Sequence, residues 1–251
     1  MTSPRRRLDA ELVSRSLAQN RTRAQALIAA GLVLVDGSVA TSGAQPVAES
    51  SGVALRGRDH PWAGRGGVKL AAGLDAFEVA VAGRVCLDAG ASTGGFSDVL
   101  LHRGADHIYA VDVGRGQLDP RIATDQRVTV MDRTNVRTLS SLPGPAPDLA
   151  VLDLSFISLR TVLPSVLALM QRPAELVVLF KPQFELGRGA VGRGGVVRNE
   201  AAIGAGVEDF GRWAIETLGA RVPHPPLPSP IRGAAGNQEQ LIHLVVGGAM
   251  R

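Results

Sequence analysis

The sequence predicts an α/β fold, a doubly wound, Rossmann-like parallel sheet preceded by a small α+β domain. Three observations predict it. From residue 84 onward short apolar runs alternate with helical stretches, as buried strands and their crossover helices do. A glycine-rich turn directly follows the first of those runs. Residues 1–60 follow another pattern, two short helices and a hairpin, and hold eight Arg against five acids where the rest of the chain is nearly balanced at 19 basic to 18 acidic residues. A length of 251 residues allows one to two domains with a real core, and 45 % apolar with 20 % charged residues excludes a disordered polymer.

In the first segment, LDAELVSRSLAQ (8–19) puts Leu8 and Leu12 on one helical face with Val13 and Leu17 beside them. Asn20 then caps a second helix, RTRAQALIAA, whose Ala24, Leu27 and Ile28 recur at helical spacing and whose Gly31 stops it. Asp36-Gly37 between apolar alternations marks a hairpin. Residues 57–68, with four Gly and a Pro, show neither period. The expected organisation is a domain at 1–57, a linker at 58–68 with Trp62 packed on one domain, and the larger domain at 69–251.

In the larger domain RVCLDAG, HIYAVDV, RVTVMD, DLAVLDLSF and ELVVLFKP read as strands, QEQLIHLVVGG as a late strand. GGFSDVLLHRG, SLRTVLPSVLALMQ, with Pro164 near its start, and AAIGAGVEDFGRWAIETLG read as helices. The loop FELGRGAVGRGGVVRN carries Arg188, Arg193 and Arg198 among Gly and Ala spacers and is expected to be flexible, ordering on RNA.

Asp88-Ala89-Gly90-Ala91-Ser92-Thr93-Gly94-Gly95-Phe96 turns from the first strand into a helix, the setting of a nucleotide-like cofactor. Ser92 stands where a dinucleotide fingerprint needs Gly, and no phosphate-loop lysine follows, which turns the reading from NAD and NTPs to S-adenosylmethionine, a cofactor without phosphate. Asp112, about 20 residues on at the second strand end, suits the ribose hydroxyls; Asp132 ends the third strand near the adenine. Three carboxylates, Asp88, Asp112 and Asp132, thus line one edge. The same turn also fits a G-x-S-x-G nucleophile elbow with Asp153 and His224 or His243 downstream, but an elbow follows several strands and this turn follows the first.

Of 27 basic residues only Lys69 and Lys181 are lysines. A chain so biased to Arg keeps Lys where an ammonium that can lose its proton is wanted. Asp153 ends the fourth strand and Lys181 the fifth, so both converge on the crevice beside the cofactor turn.

These motifs carry a resemblance. RLDAELVSRSLAQNRTRAQALIAAGLVLVDG resembles the S-four-like RNA-binding module, which implies that Arg21 and Arg23, with Arg15 and Arg5, Arg6 and Arg7, face RNA phosphates. Lys69, Asp153, Lys181 and Glu239 match in order and context the Lys-Asp-Lys-Glu tetrad of FtsJ-like 2′-O-ribose methyltransferases. With GRGGVKL, LDAGASTGGF, DLSFISL, KPQFE, GRGGVVRN and GNQE the chain resembles the TlyA family of ribosomal RNA cytidine methyltransferases, some of which are named hemolysins. The resemblance implies cofactor contacts from Asp88, Gly90, Ser92, Gly94, Phe96, Asp112, Asp132 and Asp153, and groups Arg65 with the RNA-facing arginines. Two positions depart from the pattern: Gly64, where Ser is usual, and Phe96, where several relatives carry Trp.

A ribose hydroxyl is a poor nucleophile until its proton is drawn off, so a base is required. Lys181 is assigned as that base, with Asp153 orienting it and Lys69 and Glu239 tuning charge; which lysine bears the exchanged proton stays open. The implied partners are ribosomal RNA or ribosomal subunits. No apolar run reaches the roughly 20 residues of a membrane span and the N-terminus lacks an apolar signal core, so a cytoplasmic protein is expected; a monomer is expected as well. One cysteine, Cys86, permits no internal disulfide, and no metal is expected. The alternatives are a catalytically inactive RNA-binding assembly factor and a membrane-lytic protein.

Overall fold

The fold is that of a computed structural model, in which residues 5–15, 17, 18, 20–56 and 60–247 are described. The chain divides into two compact units, residues 1–61 and 62–251.

In the smaller unit β1 (Arg5–Arg7) leads into α1 (Leu8–Ser14), followed by α2 (Arg21–Ala29), β2 (Val33–Val35), β3 (Ser38–Val39), β4 (Pro46–Ala48) and β5 (Val53–Leu55). Asn20 caps α2, its side chain accepting the Arg23 N–H at 2.8 Å. Helix α1 is shorter than the 8–19 expected, because the N–H groups of Leu17 and Ala18 both turn back onto the Leu12 carbonyl, which swings Ala18 into the core. Ser16 and Gln19 lie outside the described residues. The Asp36-Gly37 hairpin forms as expected, both residues at positive φ and Val35 paired with Ser38. Leu8, Leu12, Ala24, Leu27 and Ile28, named by periodicity, make the core together with Val33 and Val47.

The larger unit runs α3 (Gly66–Ala76), β6 (Val85–Ala89), α4 (Gly95–His102), β7 (His107–Val111), α5 (Pro120–Ala123), β8 (Val128–Met131), β9 (Leu149–Leu152), α6 (Leu159–Leu169), β10 (Ala174–Phe180), α7 (Pro182–Glu185), α8 (Glu200–Leu218), β11 (Ala220–Arg221), β12 (Leu227–Pro228) and β13 (Gln240–Val246). Residues 66–68, expected within the linker, already belong to α3; residues 58 and 59 of it lie outside the description, as does residue 57 at the end of the expected first domain.

The sheet order is β11-β13-β10-β9-β6-β7-β8, with β12 also on β13. Strands β8, β7, β6, β9 and β10 are mutually parallel; the runs of β7, β6, β9 and β10 are buried on both faces, while β8 at the edge is only partly covered. Alternation splits each strand between two cores. Leu176, Val178 and Phe180 of β10 join α6 and α8 on one face, while Val177 and Leu179 join α3 and α4 on the other. The double winding is therefore as expected; an all-parallel sheet is not. Strand β13 pairs antiparallel with β10, because the chain returns from β11 without the crossover helix that a parallel neighbour requires. The strand order reverses between β6 and β9, which opens a crevice at their carboxyl ends.

Candidate active site

At that crevice the glycine turn is shaped by a close approach. Gly90 sits at φ +91°, and a Cβ there would stand 2.8 Å from the Asp153 carbonyl oxygen, so only glycine lets the turns after β6 and β9 meet. The next β-strand end is tied to it by Asp112. One carboxylate oxygen accepts the Ser92 N–H at 2.8 Å and the other the Gly114 N–H at 2.7 Å, fixing a carboxylate at the rim with acceptor capacity to spare.

Two cavities share this region. One, about 500 Å³, runs from Gly90, Ser92 and Asp112 over Gln117 and Asn135 to apolar Val113, Val136, Ile157 and Val162. The other, about 600 Å³, is lined by Lys69, Lys181, Gln183, Phe184 and Glu239. Gly90, Ser92, Asp153, Ser155 and Phe156 belong to both, so a single wall parts the two lobes. Both volumes lie within the range of small-molecule sites.

In the second lobe the chain's two lysines each meet a carboxylate. Lys181 Nζ lies 2.6 Å from Asp153 Oδ1 and donates to Ser155 Oγ at 3.0 Å; Lys69 Nζ donates to Glu239 Oε2 at 2.5 Å. Each lysine side chain is 9 % exposed, so neither is a surface ion pair. Lys181 is carried there by the end of β10, Lys69 by the first turn of α3, and Glu239 by the entrance to β13. Phe156, at φ +64° and 90 % exposed, stands at the shared rim with Phe184 beside it, ring centroids 5.1 Å apart. Glu185 fastens that rim: it accepts the Leu159 N–H and the Ser158 hydroxyl, both at 2.7 Å, and its burial pushes its carboxyl above the usual range.

Four residues expected at the cofactor line neither lobe. Asp88 is fully buried, bonded to Ser97 Oγ at 2.6 Å through one oxygen; burial raises its pKa to about 7. Phe96 packs in the core against α3, Gly94 opens α4 against Leu118 and Ile122, and Asp132 accepts the Gly116 N–H, bracing the loop beyond Asp112. Sequence reasoning missed Ser155, Phe156, Gln117 and Asn135; for the first two the DLSFISL segment was the available signal. The elbow geometry is not made. Ser92 Oγ bonds Gln117, while His243 bonds Glu175 and His224, stacked on Phe77, and neither histidine lines the two lobes.

The arginine loop is less free than expected. Asn237, fully buried, accepts the Val197 N–H and donates to the Gly195 carbonyl, both at 2.8 Å, because an asparagine amide can serve both groups at once. Arg193 and Arg198 are exposed on it, and the Arg188 side chain lies outside the description. Arg65 precedes α3, partly buried. Trp62 packs edge-on to His102, a packing role.

In the smaller unit the arginines differ in freedom. Arg15 spends its guanidinium within the unit, on Glu11 and the carbonyls of Glu49 and Ser51, each at 2.8 Å. Arg7 and Arg21 both bond Asp9 yet remain half exposed, and Arg5 and Arg6 are exposed. Arg23 is partly buried.

Comparison with known proteins agrees with the division of the chain. Residues 62–245 match the FtsJ-like methyltransferase family and residues 6–53 the S4 domain. A 16S/23S rRNA (cytidine-2′-O)-methyltransferase, TlyA of Mycobacterium tuberculosis, is 46 % identical over 246 residues, 96 % of this chain and 90 % of that protein. The structure of a hemolysin-named protein from Streptococcus thermophilus superposes with a TM-score of 0.79 at 33 % identity, over 99 % of this chain and 90 % of that one. A Listeria monocytogenes protein described by name as an S-adenosylmethionine-dependent methyltransferase shares the fold, with a TM-score of 0.52 at 10 % identity over 72 % of this chain and all of that one. With a family match over most of its length and a TlyA relative at 46 % identity, the chain belongs to the FtsJ-like methyltransferase family, in its TlyA branch.

Proposed function

We propose that this chain transfers a methyl group from S-adenosylmethionine to the ribose 2′-oxygen of a cytidine in 16S or 23S ribosomal RNA, or both, with Lys181 as the general base. One observation carries the reading: both lysines of an arginine-dominated chain line a single lobe that shares a wall with the glycine turn. The first lobe fits the cofactor in kind, since a rim carboxylate, Asp112, suits the two ribose hydroxyls and Val113, Val136, Ile157 and Val162 offer an apolar slot for adenine. Bound there, the cofactor supplies a sulfonium methyl whose leaving group is a neutral thioether.

The chain's own residues do the rest. Asp153 and Ser155 hold Lys181 Nζ in a fixed place, so that it takes the 2′-hydroxyl proton as the oxygen–methyl bond forms. Lys69, held by Glu239, places a second amino group in the lobe, where it steadies the 2′-oxygen as its charge grows. Phe156 and Phe184 offer aromatic faces at the mouth for a splayed base. The S4 unit supplies the phosphate contacts. The test is incubation with radiolabelled S-adenosylmethionine and separately purified ribosomal subunits, then mass spectrometry of the RNA. Label on a cytidine 2′-oxygen is expected; label on a base atom, or none on either subunit, overturns the reading.

A further inference from the structure

In the S4 unit one carboxylate gathers two arginines. Asp9 is fully buried beneath Gly43, whose Cβ, if present, would stand 3.3 Å from that of Asp9. Its oxygens accept Arg7 Nε at 3.1 Å and Arg7 Nη2 at 2.8 Å, a fork-to-fork pair, and both accept Arg21 Nη2 at 3.2 Å. Gln25 Nε2 adds a bond at 3.3 Å. The carboxylate's acceptor sites are filled, and the hydrogen bond from Arg7 holds its pKa well below the usual carboxylate range, so it keeps its charge. The arginines are not filled. Asp9 engages two of the five N–H donors of Arg7 and one of those of Arg21, and the two side chains are 50 % and 58 % exposed.

We infer that Asp9 is a positioning residue that converts Arg7 and Arg21 into one composite phosphate site for the RNA backbone. The inference rests on the RNA reading above and goes further, because it assigns a binding task to a buried acid. The cluster keeps a net positive charge, two guanidinium groups against one carboxylate. Two long side chains held by a common anchor have lost their rotamer freedom before the phosphate arrives, so binding no longer has to order them.

The sign of one substitution tests this. Removing an acid from a cationic surface tightens RNA binding if charge alone counts. With Asp9 as anchor, Asp9→Asn in the full chain weakens binding to 16S and 23S rRNA transcripts on the order of tenfold in a filter assay, despite the gained positive charge. Thermal melting of the same protein checks that the fold is kept. Affinity equal to or above wild type, with an unchanged melt, overturns the proposal. If Asp9→Asn does not fold, the cycle of Arg7→Gln, Arg21→Gln and the double variant decides. A shared site makes the double loss smaller than the product of the single losses, whereas two independent, multiplying losses overturn it. A wild-type chain that binds neither transcript overturns the RNA reading and this site with it; wild-type binding with tightening or multiplying losses overturns this site alone.

Discussion

Replacing Lys181 by Arg keeps a positive charge at the end of β10 and removes the ability to give up a proton, since a guanidinium stays protonated in proteins. In the structure Lys181 Nζ directs two of its positions at Asp153 and Ser155, which leaves the third for the lobe; in the neutral amine, the form that acts as base, that position is the lone pair that takes the hydroxyl proton. A positioned general base contributes about 10²–10⁴ in rate, or about 3–5.5 kcal/mol of barrier. Lys181 lines the lysine lobe and not the lobe that carries Asp112, so cofactor affinity should change by no more than roughly threefold, a fraction of a kcal/mol. Single-turnover transfer of labelled methyl to ribosomal subunits measures the first quantity, titration calorimetry with S-adenosylmethionine the second. Lys181→Met, of similar volume without charge, controls for the bulk of Arg. Methyl transfer by Lys181→Arg within tenfold of wild type refutes the assignment of the base.

The pair Lys69–Glu239 is nearly dry, so Lys69→Met strands a buried carboxylate and should lower stability by about 3–5 kcal/mol, roughly 6–20 °C in melting temperature. Lys69→Met with Glu239→Leu should recover most of that in calorimetry while methyl transfer stays lost; recovery of activity in the double variant contradicts the role. Gly90→Ala should weaken the cofactor at least tenfold by calorimetry, because its Cβ meets the Asp153 carbonyl at a backbone angle that alanine rarely adopts. Asp88, with a folded pKa of about 7 against about 4 unfolded, makes a contribution to stability that is complete below pH 4 and is lost as pH rises to 7. Asp88→Asn, which imitates the protonated form, should therefore raise the melting temperature relative to wild type more at pH 8 than at pH 5, and an equal difference at the two pH values counts against the buried charge.

Much of this was legible because the patterns are set by burial. A strand buried on both faces must be continuously apolar, and β6, β7, β9 and β10 fall where their Val and Leu runs do. Asp153 and Lys181 could be brought together because strand ends converge at a switch point, whereas Lys69 and Glu239 joined them only through the resemblance to the methyltransferase tetrad. The direction of β13 was not legible, since an apolar run is the same in either sense and only the missing crossover helix decides. Nor could a side chain's direction be read from its place in a motif. Asp88 and Phe96 lie in the glycine segment yet point into the core, while Phe156 is thrown to the surface by a positive φ that nothing in DLSFISL announces. Asp9 reads in the sequence as one more helix-start acid; its grip on Arg7 and Arg21 depends on the turn at Gly43 closing over it.

The wall common to the two lobes means that donor and acceptor would be read by the same few atoms. Asp153 presents its carboxylate to Lys181 on one side while its backbone carbonyl meets the Gly90 turn on the other. A guest on either side that shifts this partition changes what the opposite guest encounters, and thermodynamic reciprocity then obliges each to alter the other's affinity by an equal factor. Where S-adenosylmethionine and its demethylated product place that carbonyl differently, the RNA affinities of the two loaded forms differ by the same factor as the two cofactor affinities do between free and RNA-bound protein.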